Sequence, residues 1–262
     1  MLSKLKLRHK KLYDVLCLVL SLTVAIILWF LVSLIPDIGN VIVGPKEVLK
    51  AMGTNIKTGY LWKQTSASLF RVVAGFGLGF VCSVPVAFLL GWYEGFRAIV
   101  EPWIQFFRTI PPIALIPLVI ALLGIGTGAK VAIIFFAVFL TMVVTIYQGV
   151  RNVDYTLIKA AKVFDATDFQ IFFSVVVPAT IPYIFTAVRL GLATALTTLV
   201  AAELTGAATG LGMMIQQAGM YFRMDVVLMG IIVIGIIGFL LDKIVLFLEK
   251  KLTSWQEVKS NG

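Results

Sequence analysis

The stretch KAAKVFDATDFQIFFSVVVPATIP, residues 159–182, places two lysines and two aspartates in the middle of a chain that is 60% hydrophobic and 13% charged. Val153, Leu157, Ala160, Ala161 and Phe164 recur at helical spacing, with Lys159 and Lys162 off that stripe, so a first short amphipathic helix is predicted. Thr167 and Gln170 then have the spacing of a capping box, and Asp168 suits the positive end of the helix that follows. The chain must turn between Phe164 and Thr167, and Asp165 tolerates the left-handed conformation such a corner needs. Phe169, Phe172, Phe173 and Val176 carry an apolar face onward, and Pro178 and Pro182 are expected to close the element. Two readings stay open: an interfacial linker lying on a membrane, or a rigid knob fitting a groove on a partner.

The flanks decide the setting. A mean hydropathy of +1.01 with 19 Phe is too apolar for a water-facing surface. Runs of about 20 residues, long enough to cross a bilayer as helix and free of charge but for Asp14 at one edge, fill 14–35, 72–93, 109–129 and 131–150. Two further spans are read within 181–202, which carries Arg189, and over 226–248, where Asp242 and Lys243 lie near the end and can snorkel. The fold class expected is therefore an all-α polytopic membrane protein with about six transmembrane helices. All of 1–262 is expected to form one membrane domain, with a tail at 1–13, an outer loop at 36–64, a cytoplasmic loop at 151–180 and an outer segment at 203–225.

Orientation follows from the 22 Lys and Arg residues. With both termini inside, fourteen fall on the cytoplasmic side, Arg97, Arg108, Arg151, Lys159 and Lys162 among them. Seven fall outside (Lys46, Lys50, Lys57, Lys63, Arg71, Lys130 and Arg223), which favours cytoplasmic termini. The net charge of +9 is spread over tails and loops with no aromatic-interleaved patch, so topology explains it better than nucleic acid does. The first apolar run is too long for a cleaved signal and lacks an A-x-A site, so a retained anchor is expected. Cys17 and Cys82 both lie in expected spans, as packing residues.

Within this frame the outer loop carries one surface helix through Val48, Leu49 and Met52. Gly75, Gly77 and Gly79 offer a small-residue face for helix packing. Pro111, Pro112 and Pro117 each remove a backbone donor at the start of the third span, which is either simply kinked or broken against an interior pathway. GIGTGAK reads as a tight outer turn. After Glu203 the chain is rich in Gly, Thr and Gln, and a re-entrant or gate-like segment is expected, with Gln216, Gln217, Arg223 and Asp225 as its further polar residues. The sole histidine is His9, which excludes a histidine zinc site or relay in the membrane. With no G-x-x-x-x-G-K-[ST] there is no standard P-loop, so any nucleotide-driven step needs another polypeptide.

Taken with its neighbours, residues 159–178 resemble the cytoplasmic "EAA…G…LP" loop of binding-protein-dependent ABC transporter permeases. SASLFRVVAGFGLGF, PWIQFFRTIPPIALIPLVIALLGIGTGAK, PATIPYIFTAVRLGLATA and VAAELTGAATGLGMMI extend the likeness over nearly the whole chain, most closely to the nitrate, taurine, sulfonate and bicarbonate branch. The resemblance implies a non-catalytic permease of a bacterial plasma (inner) membrane importer. Its implied partners are a second permease copy, two ATP-binding subunits that hold ATP and Mg2+, and an extracytoplasmic binding protein that delivers the solute; no cofactor is bound by this chain. It assigns Lys159, Ala160, Ala161, Asp165, Ala166, Thr167 and Pro178 to ATPase coupling. Two positions depart from the motif: Lys159 stands where the family has Glu, and Asp165 where it has Gly. A substrate pathway or gate is assigned to Arg189, Thr194, Thr197, Thr198, Glu203, Gln216 and Arg223, although Arg189 equally suits snorkelling and the threonines equally suit helix packing. The solute expected is small and anionic. An ion-coupled carrier, which would transport without an ATPase, and a lipid-modifying enzyme, which would need clustered catalytic side chains, are the competing classes.

Overall fold

The computed structural model describes residues 2–39 and 41–253. Lys259, and the side chains of the basic tail from Lys4 to Lys11, lie outside the described residues. Contacts divide the chain into two compact units, Met1–Trp62 with Met214–Ile232, and Lys63–Met213 with Val233–Gly262.

In the first unit α1 (Leu2–Ser33) contains an 18-residue window, Leu16–Ser33, apolar enough to span a membrane. After the short α2 (Pro36–Gly39), α3 (Pro45–Lys57) starts with proline in its first turn, where the lost N–H costs nothing, and with Glu47 near the positive helix end. It is the surface helix the sequence predicts: Val48 and Ala51 are buried, whereas Leu49 points outward. Trp29 donates its Nε1–H to Val43 O at 3.0 Å, which fastens the connecting loop to α1.

The remaining helices are α4 (Tyr60–Trp92), α5 (Glu94–Phe107), α6 (Ile116–Leu123) behind a 3₁₀ turn at Pro112–Leu115, α7 (Thr127–Arg151), α8 (Tyr155–Val163), α9 (Asp168–Ile171), α10 (Val177–Leu204), α11 (Leu211–Met220) and α12 (Met224–Leu252). The second unit is built around α7, whose Val138, Met142, Val143 and Ile146 are fully buried. α7 packs mainly on α10. It also meets α4 at glycines: a Cβ on Gly75 would lie 2.6 Å from Ile134 Cγ2, and one on Gly79 2.7 Å from Val138 Cγ1. Gly77, expected on the same packing face, looks into open space. Residues four apart share a helix face and those two apart do not.

Among the described residues five helices can each cross a membrane by length and composition, and a sixth crossing appears if α5 and the Pro112–Leu123 segment form one span. Those two pieces meet at 86°. Of the two readings of the prolines in the third span, kinked or broken, the structure has the break, and it lies within 108–111 with a further helix, α5, before it. Pro111 and Pro112 remove two consecutive donors, and each proline pushes its predecessor away from helical geometry.

Pro178 and Pro182 do not end the loop element as the sequence suggests. Helix continues from Asp168 to Leu204 through a π turn at Phe172–Val176. A proline in a helix loses one bond and collides with the carbonyl four residues back, and widening the turn just upstream accommodates both.

Candidate functional site

Three features of the second unit gather polar chemistry. The first is the loop between α7 and α10. Asp154 caps α8, accepting from Thr156 N at 2.8 Å. At the other end Asp165 has φ of 53°, Ala166 N bonds Ala161 O at 3.1 Å and Asp165 N bonds Lys162 O at 3.0 Å. Those two crossed bonds make a Schellman motif with a non-glycine at its left-handed position. Thr167 N then donates to Gln170 Oε1 at 2.8 Å and Gln170 N to Thr167 Oγ1 at 3.3 Å, the capping box expected from the spacing. Successive caps leave little freedom between α8 and α9.

Which face this loop shows differs from the periodicity reading. Val153, Ile158, Ala161, Ala166 and Phe172 pack on the core, and Ile171 and Val176 are buried. Leu157 is exposed instead, and Val163, Phe164 and Phe169 are 80%, 84% and 74% exposed. An amphipathic pattern fixes that two faces differ, but the turn after Val163 lies outside the pattern and sends its apolar side chains outward. Lys159 Nζ sits 4.8 Å from the Tyr155 ring centroid, and Ala160 is exposed. Pro178 is half-buried in the first turn of α10.

The second feature surrounds Glu203, which is fully buried. Its carboxylate pairs with the Arg71 guanidinium and accepts from Ser68 Oγ at 2.8 Å and from Gly212 N at 2.8 Å. Arg71 also donates to Thr209 O at 2.7 Å; Ser68 accepts from Leu211 N at 2.8 Å and Gln64 from Gly210 N at 2.7 Å. The connection between α10 and α11 is thereby tied along one face of α4. A Cβ at Gly210, where φ is 130°, would overlap the Glu203 carboxylate. Sequence reasoning found Glu203 but missed its partners. The signal was the spacing of Gln64, Ser68 and Arg71, one helical stripe of polar side chains.

The third feature is a cavity of about 360 Å³ between the broken third span, α7 and α10, lined by Arg108, Pro112, Thr141, Thr145 and Thr194 among others. Thr141 Oγ1 and Thr194 Oγ1 are 3.5 Å apart. Of the sequence-assigned pathway residues, Thr194 lines this space. Thr197 donates to Ala193 O and Thr198 is buried. Arg189 Nε pairs with Asp242 Oδ1 of α12 at 2.8 Å. In the first unit Arg223 pairs with Asp225 at 3.0 Å, Gln216 is half-buried, and Gln217 borders a small cavity with Asn55 and Tyr60.

Apolar helices long enough to cross a membrane, with a partly polar cavity between three of them, define an integral membrane protein. The chain belongs to the family described as the binding-protein-dependent transport system inner membrane component, matched over residues 75–254. A protein of Brucella abortus (strain 2308) named "Probable ABC transporter permease protein" is 45% identical over 91% of this chain and 94% of its own. The taurine transport system permease protein TauC of Escherichia coli (strain K12) is 34% identical over 90% of this chain and 88% of that protein. Relatives named as aliphatic sulfonate and nitrate permeases place the chain in the nitrate, taurine and sulfonate branch. An inward-facing structure of the MetNI methionine ABC transporter shares the fold, with a TM-score of 0.66, 22% identity and coverage of 74% of this chain and 96% of that one. The chain is therefore a multi-pass inner-membrane ABC importer permease, a non-catalytic subunit.

Proposed function

We propose that this permease works as a pair of copies and forms the pathway for a small anionic solute of the sulfonate or nitrate class. In this reading an extracytoplasmic binding protein delivers the solute, and two ATP-binding subunits, which hold ATP and Mg2+, drive the cycle by gripping α8 and α9. The relatives named for taurine, sulfonates and nitrate support the solute class. The observation that carries the coupling role is the loop itself: a Schellman motif and a capping box hold Val163, Phe164 and Phe169 outward. Exposed aromatics on a rigid element are what a docking knob needs, because little ordering entropy is lost when it seats. Lys159 and Asp165, where the family motif has Glu and Gly, then assign a matching acidic site on the ATPase beside Lys159.

Co-purification with the cognate ATPase tests the role. Phe164→Ala together with Phe169→Ala should reduce recovery of the complex by roughly tenfold or more, since large aromatics at an interface each contribute 1 kcal/mol or more. Undiminished recovery would sink the coupling role of this loop. In proteoliposomes, uptake should need ATP; uptake driven by an ion gradient without the ATPase would favour a secondary carrier.

A further inference from the structure

Among the described residues Arg108 is an exposed cation on the wall of a cavity, and its surroundings stay unexplained. Its position in sequence, between two apolar runs, assigns it to a cytoplasmic stretch, but the fold puts it at the break of the third span. It lines the same cavity as Thr141 and Thr194. Thr141 lies 14 residues from Thr127 and 10 from Arg151 along α7, and Thr194 lies 17 from Val177 and 10 from Leu204 along α10. Thr141 and Thr194 therefore each lie ten residues inside the nearer end of their helix. The cavity lining contains no acidic residue. Among the described residues the Arg108 side chain has no ion pair or hydrogen bond, whereas Arg71, Arg97, Arg189 and Arg223 each have a carboxylate.

A charged side chain deep in a membrane is costly and is retained where it pairs or meets a solute in a water-filled space. With no paired carboxylate, the remaining complement is an anion that passes through. The three threonines add hydroxyl groups to the same wall, and each is held in place by a bond to a backbone carbonyl of its own helix at 2.9 Å. Because those bonds use the hydroxyl protons, the group left to meet a head group whose charge is spread over oxygens is the planar, five-donor guanidinium of Arg108. Broken helix at this depth is tolerated where it lines such a cavity, which also accounts for the 86° bend beside Arg108.

We propose that Arg108, in the cavity it shares with Thr141, Thr145 and Thr194, forms an intramembrane half-site for a singly charged oxyanion group, so that this chain itself selects for negative charge. The inference rests on the importer reading for its transport role, but not for its electrostatics.

The test uses the full chain in membranes with Cys17 and Cys82, its two cysteines, replaced by alanine. Thr194→Cys is reacted with a sulfonatoethyl and with a trimethylammonioethyl methanethiosulfonate, each rate normalised to a free thiol in solution. The anionic reagent should react faster, and Arg108→Gln should lower the ratio roughly tenfold while Arg108→Lys largely preserves it, as expected for one unit charge a few ångströms away in a partly wet cavity. A ratio unmoved by Arg108→Gln, or a cysteine inert to both reagents, would overturn the site. In proteoliposomes holding the ATPase and binding protein, labelled taurine and labelled nitrate are the probes. Arg108→Gln should slow ATP-dependent uptake of whichever is carried by roughly tenfold, with assembly intact and Arg108→Lys intermediate. Uptake unaffected by Arg108→Gln would also overturn it. A wild-type complex that carries neither probe would count against the solute class proposed above, and the labelling ratio would still decide the role of Arg108.

Discussion

Glu203 shows how much one buried carboxylate can organise. It holds Arg71, Ser68 and the backbone of Gly212 at once, and its negative charge sits against the N-terminal turn of α11, where it is favoured. The arrangement fixes the start of the segment after Glu203, which the sequence had marked only by its unusual polarity. Removing one partner of a buried pair leaves the other charge unsatisfied, so Glu203→Ala should destabilise the protein by about 3–5 kcal/mol. A double variant, Arg71→Met with Glu203→Met, should lose less than the sum of the single changes. Thermal unfolding in detergent, with hydrogen exchange of residues 205–212, would measure both; additive losses would rule out the coupling.

Among the elements, the capped loop was the most legible, because caps are local. The Thr167–Gln170 box and the left-handed Asp165 need only a few neighbouring residues, and both stand in the structure. Helix pairing was less legible. Gly75, Gly77 and Gly79 look equivalent as a list, yet Gly75 and Gly79 meet Ile134 and Val138 while Gly77 meets nothing. Valine at Gly79 should therefore force α4 and α7 apart and cost about 1–3 kcal/mol, as overpacking of a tight contact does. Valine at Gly77 should be nearly neutral. Melting temperatures of the two variants in detergent would separate them, and equal losses would contradict this packing.

For the molecule as a whole, the apolar runs predicted about six crossings, and the described residues hold five, or six if the bent pair α5 and Pro112–Leu123 is one span. The break that the prolines suggested is there, with an 86° bend. Moving Arg108 from the cytoplasmic set leaves thirteen basic residues against seven, so the positive-inside argument for cytoplasmic termini keeps its direction. On that orientation, Lys159→Cys should be labelled by a membrane-impermeant thiol reagent only from the cytoplasmic side, and Tyr221→Cys only from the outer side. Labelling of Lys159→Cys in intact cells would invert the topology and with it the coupling proposal.

What the sequence by itself determined is the all-helical membrane class and the capped loop, because hydropathy runs and caps are properties of contiguous residues. Only the tertiary structure decided that Glu203 belongs with Arg71, 132 positions away, and that Arg108 shares a cavity with Thr141 and Thr194. Periodicity states which residues share a face of one helix. Which faces meet, and at what depth, depends on close approaches such as those at Gly75 and Gly79 and on where prolines break a span, and these are settled only when the helices pack.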